Sequence, residues 1–112
     1  MLQVELTTRE EQLPAPRFIV SDPDHPDRPR YDTILVLDRN GALFWHLRAA
    51  PFGDQNSVDR FTYGETLEGF EVVKGPEPLR PGGSYAVFVR GKNRGALHID
   101  VDAQGQVHAV PP

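Results

Sequence analysis

The chain contains no cysteine. That removes disulfide staples, thiolate metal centres and cysteine nucleophiles from consideration. It leaves the redox compartment open, because a cysteine-free domain is stable in either environment. Lysine is nearly missing as well, with only Lys74 and Lys92 set against ten arginines. The formal net charge is −4, and no basic cluster exists beyond Arg90, Lys92 and Arg94. This balance argues against nucleic acid as a partner. No run approaches the ~20 apolar residues that cross a bilayer as a helix, so no membrane partner is expected. Met1–Leu6 has neither the basic start nor the apolar stretch of a signal peptide. The expectation is a cytoplasmic protein as the sequence stands, or a secreted or periplasmic one if a leader has been removed. Helical periodicity is almost absent too. The one candidate turn of helix, Thr8–Gln12, runs into Pro14 and Pro16.

What the chain has instead is punctuation. Eleven prolines and ten glycines are spread between short apolar runs of period two, a pattern of many strands and many turns. A length of 112 residues suits one domain, 1–112, that buries roughly two-thirds of its unfolded surface. Leu2, Val4 and Leu6 alternate with polar residues, and Arg17–Val20 is a short second strand. Ser21–Arg30 has three prolines and reads as an exposed loop. Thr33–Leu37 is apolar on both sides, which predicts a central strand covered on both faces. Asp38-Arg39-Asn40-Gly41 carries the residues of a tight turn. On the return strand, Ala42–Arg48, alternation points Leu43, Trp45 and Leu47 one way and Phe44, His46 and Arg48 the other. Ser57–Tyr63 and Gly69–Lys74 follow. Tyr85–Arg90 and Ala96–Asp102 form a hairpin across Gly91–Gly95, and Gln106–Val110 is the last short strand. Eight or nine strands at this spacing predict a sandwich or barrel. The expected core is Val36, Leu43, Trp45, Leu47, Phe61, Phe70, Tyr85, Val87, Leu97 and Ile99.

The segment Leu79-Arg80-Pro81-Gly82-Gly83-Ser84-Tyr85-Ala86-Val87-Phe88-Val89 is the most specific feature. A leucine, a Pro-Gly turn and a tyrosine opening an alternating strand are how a sandwich crosses between its sheets. The ring covers the core while the hydroxyl bonds backbone a few residues upstream. This corner resembles that of fibronectin type III and related immunoglobulin-like domains. The sequence departs from the fibronectin pattern in placing Trp45 after the first central hairpin rather than on the second strand. It departs from the immunoglobulin pattern in lacking the cysteine pair. A looser likeness through Tyr63-Gly64, Gly69-Phe70, Pro78-Leu79 and Tyr85 is to small bacterial proteins and implies no activity. Together these resemblances imply an all-β, immunoglobulin-like antiparallel β-sandwich of seven to nine strands.

In that arrangement the strand bearing Trp45 lies beside the one bearing Tyr85, with the next strand beyond. Phe44, His46 and Arg48, then Phe88 and Arg90, then His98 and Asp100 share one outer face. Clustered aromatics on a soluble surface point to a binding role. The expected contact residues are Phe44, His46, Phe88, Arg90 and His98, facing a protein partner or a second copy. The competing reading covers this face with the N-terminal segment or with Gln106–Val110. His46, His98 and Asp100 are suitable zinc ligands, although no close ligand pair of metal-motif spacing occurs. Asp22, Asp24 and Asp27, with His25 among them, crowd oxygens into one loop, as calcium requires. The EF-hand glycine and terminal glutamate are missing, and the competing reading is a solvated acidic turn. Arg90, Lys92 and Arg94 at a hairpin tip could hold an anion, but a strand follows where a phosphate loop needs a helix. Ser21, Ser57 and Ser84 lie outside any Gly-x-Ser-x-Gly elbow. The expectation is a non-catalytic interaction domain without a cofactor. The alternative is a calcium-, zinc- or small-ligand-binding module on the Asp22–Asp27 loop or the His46/His98 pair.

Overall fold

The computed structural model describes residues 2–24, 31–50, 59–91 and 93–110. Among them are nine strands and no helix: β1 (Gln3–Leu6), β2 (Arg17–Ser21), β3 (Thr33–Asp38), β4 (Leu43–Ala49), β5 (Arg60–Thr62), β6 (Phe70–Lys74), β7 (Ser84–Arg90), β8 (Arg94–Val101) and β9 (Val107–Val110). They form two antiparallel sheets, one ordered β1-β2-β5 and the other β6-β4-β3-β7-β8-β9. The described residues thus form an all-β sandwich of nine strands, as the sequence predicts.

Alternation explains the interior. Val4, Phe18, Val20 and Phe61 from the small sheet meet Ile34, Val36, Trp45, Leu47, Val87 and Ile99 from the large one in a single buried cluster. Trp45 is fully buried. Its ring stands edge-on to Tyr63 at 5.1 Å and tilted to Phe61 at 6.1 Å, and Phe61 in turn stacks on Phe18 at 5.0 Å. Large aromatic side chains of this kind supply much of the buried apolar area in so small a domain. The corner closes as expected: Tyr85 is buried, and the Arg80 N–H donates to its hydroxyl at 2.9 Å.

Several expectations are corrected. The strand of Trp45 does not lie beside that of Tyr85, because β3 runs between β4 and β7. β3 is central in its sheet; Ile34 and Val36 are buried on one face, Leu35 and Leu37 are only partly buried on the other, and among the described residues no strand covers that second face. β9 does not cover the outer face; it extends the sheet sideways beside β8. The Thr8–Gln12 segment forms no helix, and Gln12 instead bridges to Gln106. Leu97 is partly buried and packs against the core, whereas Leu43 is partly buried and lies outside it. The reason at Leu43 is a register shift after Val36, where Leu37 pairs with Leu43 and skips Phe44. A bulge of this kind sends neighbouring side chains to one side and reverses the alternation beyond it.

Candidate interaction face

The outer face of the six-stranded sheet is built from cross-strand rows. In the central row His46 pairs with Leu35, Leu35 with Phe88, and Phe88 with Ala96. The next row runs Leu37, Ala86, His98 and Val110. Directly opposed residues in antiparallel strands point to the same side, so these rows form one largely apolar band with His46 at one end of the first row and His98 within the second. Leu35, Leu37, Ala86 and Phe88 are each half-buried by their neighbours. Among the described residues no strand lies across this band. A hollow of about 430 Å³ opens at its β8 end, lined by Phe88, Arg90, Arg94, Ala96, His98 and Val110 among others.

The band has charged borders. On one side Arg48, Thr33, Arg90 and Arg94 share a row. Arg48 is neutralised at the sheet edge, where its Nε donates to Glu71 Oε1 at 2.8 Å. The Arg90 guanidinium lies 5.6 Å from the centre of the Phe88 ring, a geometry that holds an arginine over an aromatic face. On the other side Ser84, Asp100 and His108 share a row. Ser84 donates to Asp100 at 2.7 Å and accepts from Arg39 at 3.0 Å, and His108 bonds Asp102 at 3.0 Å. Burial, followed by the nearby Arg48 cation, holds the His46 imidazole below its ordinary pKa, which keeps it neutral at pH 7. The face therefore presents an apolar centre between a cationic margin and a mixed one.

Of the residues predicted for this face, His46, Phe88, Arg90 and His98 lie on it. Phe44 does not. The bulge turns it toward the core beside Trp45, and its ring stands edge-on to Tyr85 at 5.3 Å. The sequence gives no signal for that bulge. It also hides Leu35 and Leu37, because a run apolar on both faces looks like a doubly covered strand.

The metal readings fare differently. His46 and His98 sit on β4 and β8 with β3 and β7 between them, a separation of about 14 Å at the usual strand spacing. One ion cannot take both. Asp22 is buried, and its carboxylate accepts the Asp24 N–H at 3.0 Å and the Asn93 side-chain amide at 3.3 Å. It closes a local turn and ties it to the β7–β8 hairpin. Asp24 is exposed, while His25, Asp27 and Lys92 lie outside the described residues. Among the described residues no group of three or more His, Asp or Glu is placed to hold a metal ion.

No family model matches the chain, and comparison with curated proteins and with solved structures gives no match.

Proposed function

We propose that this protein is a non-catalytic interaction module that binds a protein partner through the outer face of its six-stranded sheet. The observation that carries the reading is the row His46–Leu35–Phe88–Ala96, which places an aromatic and a leucine at the centre of a face with no second layer among the described residues. Soluble domains seldom leave such a band continuous unless something docks on it. An aromatic anchor bordered by arginine is also the composition in which binding energy concentrates. Arg90 and Arg94 beside Phe88 favour a partner with an apolar knob flanked by carboxylates.

The scaffold for this reading is an immunoglobulin-like sandwich. β1-β2-β5 facing β4-β3-β7-β8 follows the A-B-E and C′-C-F-G strand orders, and the corner tyrosine falls on the strand that corresponds to F. β6 and β9 are then additions at the two edges of the larger sheet. Immobilised protein should retain a partner from the source lysate that Phe88→Asp and Leu35→Asp both release while their melting temperatures stay close to that of the wild type. Cross-linking from position 88 should then map the partner to this face. Equal retention by wild type and both variants, or no retention by the wild type, overturns the reading.

A further inference from the structure

The two sheets have four edges, and three are blunted. At β1 the Leu2 N–H donates to the Arg94 carbonyl at 2.9 Å, which ties that edge to β8. At β9 the Val107 N–H donates to the Glu11 carbonyl at 2.8 Å, and the Leu13 N–H to that of Gly105 at 2.8 Å. β5 is only three residues long. β6 is different. It has five residues and pairs only with β4 among the described residues. It also carries the two large hydrophobic side chains that are exposed among the described residues, Val72 at 44% and Val73 at 46%. An edge strand with unpaired backbone groups and apolar side chains is a template for another strand.

We infer that β6 pairs antiparallel with β6 of a second copy, about a two-fold axis between Val72 and Val73. The charges of the segment Phe70-Glu71-Val72-Val73-Lys74 are self-complementary in that register and in no neighbouring one. Glu71 faces Lys74 of the second copy, Val72 faces Val73, and the symmetry repeats both pairs. Moving the axis onto Val72 sets Glu71 against a valine, and moving it onto Val73 sets Glu71 against Gly75.

Side-chain direction agrees with this register. Glu71 and Lys74 pair with Arg48 and His46 and point to the outer face. Val72 pairs with Leu47 on the inner face, and the register shift between His46 and Leu47 leaves Val73 as the extra residue beside it. Opposed residues across the new contact therefore share a side, as antiparallel pairing requires. The charged groups are also ready to pair. Both Arg48 bonds to Glu71 end on Oε1, so Oε2 is left for a second cation. The Lys74 side chain makes no hydrogen bond or ion pair among the described residues. The contact joins two large sheets edge to edge, in the isologous form most dimers take, and is independent of the face described above. Its small size makes it a weak association.

Sedimentation velocity over a concentration series tests it. The wild type should show a concentration-dependent dimer. Lys74→Glu, which opposes two glutamates, should raise the dissociation constant at least tenfold. The double swap Glu71→Lys with Lys74→Glu restores opposite charges in the same register and should recover the dimer. A second readout avoids charge and exploits the cysteine-free chain. Mixing Val72→Cys protein with Val73→Cys protein under mild oxidation should give the mixed disulfide well above the proportion of random encounter. A wild type that stays monomeric at all concentrations overturns the inference, as does a Lys74→Glu variant that dimerises like the wild type. If the double swap melts early, the mixed disulfide decides: formation at the random proportion overturns the inference.

Discussion

One carboxylate oxygen of Glu11 accepts two hydrogen bonds from Arg17, from its backbone N–H at 2.8 Å and from its Nε at 3.0 Å. The other oxygen accepts from Arg17 Nη2 at 3.1 Å and from the hydroxyls of Thr7 and Thr8. Glu11 is 3% exposed, so this carboxylate takes its hydrogen bonds from protein rather than water. It closes the connection between β1 and β2 and holds the backbone carbonyl that receives Val107 at the β9 edge.

The Arg17 guanidinium is the largest influence on that carboxyl. It outweighs the opposing effect of burial and, with the Thr8 hydroxyl, the Arg17 N–H and the Thr7 hydroxyl, lowers the pKa from 4.5 to about 2. The folded value lies below the unfolded one. The stabilisation is therefore complete above the unfolded value and is lost as pH falls from about 4.5 toward 2. Glu11→Gln should cost about 2 kcal/mol at pH 7, the scale of lost charged hydrogen bonds. It should also flatten the fall in melting temperature between pH 5 and pH 2. Thermal melts of both proteins across that range check this; parallel curves would show that Glu11 is not the titrating group.

Tyr85 carries the second prediction. Among the described residues its hydroxyl receives only the N–H of Arg80, itself an exposed residue, while its buried ring packs edge-on against Phe44. Tyr85→Phe keeps the ring and lets water take the Arg80 N–H, a loss of about 1 kcal/mol. Tyr85→Ala empties a core position and should cost about 3–5 kcal/mol. Urea unfolding gives both values. Equal losses would mean that the hydroxyl, and not the ring, secures the corner.

Why one half of this molecule reads from its sequence and the other does not comes down to period and pairing. Alternation alone marks β1, and alternation with Gly- or Pro-bearing boundaries marks β4, β7 and β8, within a residue or two, because each strand has one buried face. The Leu79–Tyr85 corner reads fully, since a Pro-Gly bend and a tyrosine six residues after a leucine have few other uses. What alternation cannot carry is which strand lies beside which. The β3–β4 hairpin follows from the Asp38–Gly41 turn, but the pairing of β3 with β7, which sets β3 between β4 and β7, joins distant residues and no local signal encodes it. The same holds for the bulge that carries Phe44 off the proposed face. The tie from the Tyr63 hydroxyl to the Glu77 carbonyl escapes for the same reason: it joins residues on either side of β6. At the candidate face, Phe88, His46, Arg90 and His98 were legible from period two alone, whereas Leu35 and Leu37 became visible only once β3 had neighbours.

The glycine that ends β6 gives the last prediction, by contrast with the one in the Asp38–Gly41 turn. Both adopt a left-handed backbone, with φ of +84° at Gly41 and +76° at Gly75. An alanine at either pays the strain of that conformation, roughly 1–2 kcal/mol. At Gly41 nothing lies within 4 Å of the added methyl, so strain is the whole cost. At Gly75 the methyl would sit 2.2 Å from the Phe44 carbonyl oxygen and 3.1 Å from the Glu77 nitrogen. Those two atoms share a hydrogen bond of 2.9 Å that anchors the chain after β6 to the bulge in β4. Neither is a flexible side-chain tip, so the backbone must separate and the bond is lost. Gly75→Ala should therefore destabilise by at least about 2 kcal/mol more than Gly41→Ala, combining steric clash with a broken bond. Amide exchange should quicken at Glu77 in Gly75→Ala and stay unchanged there in Gly41→Ala. Equal losses of stability in the two variants would mean that β6 is not clamped at this point.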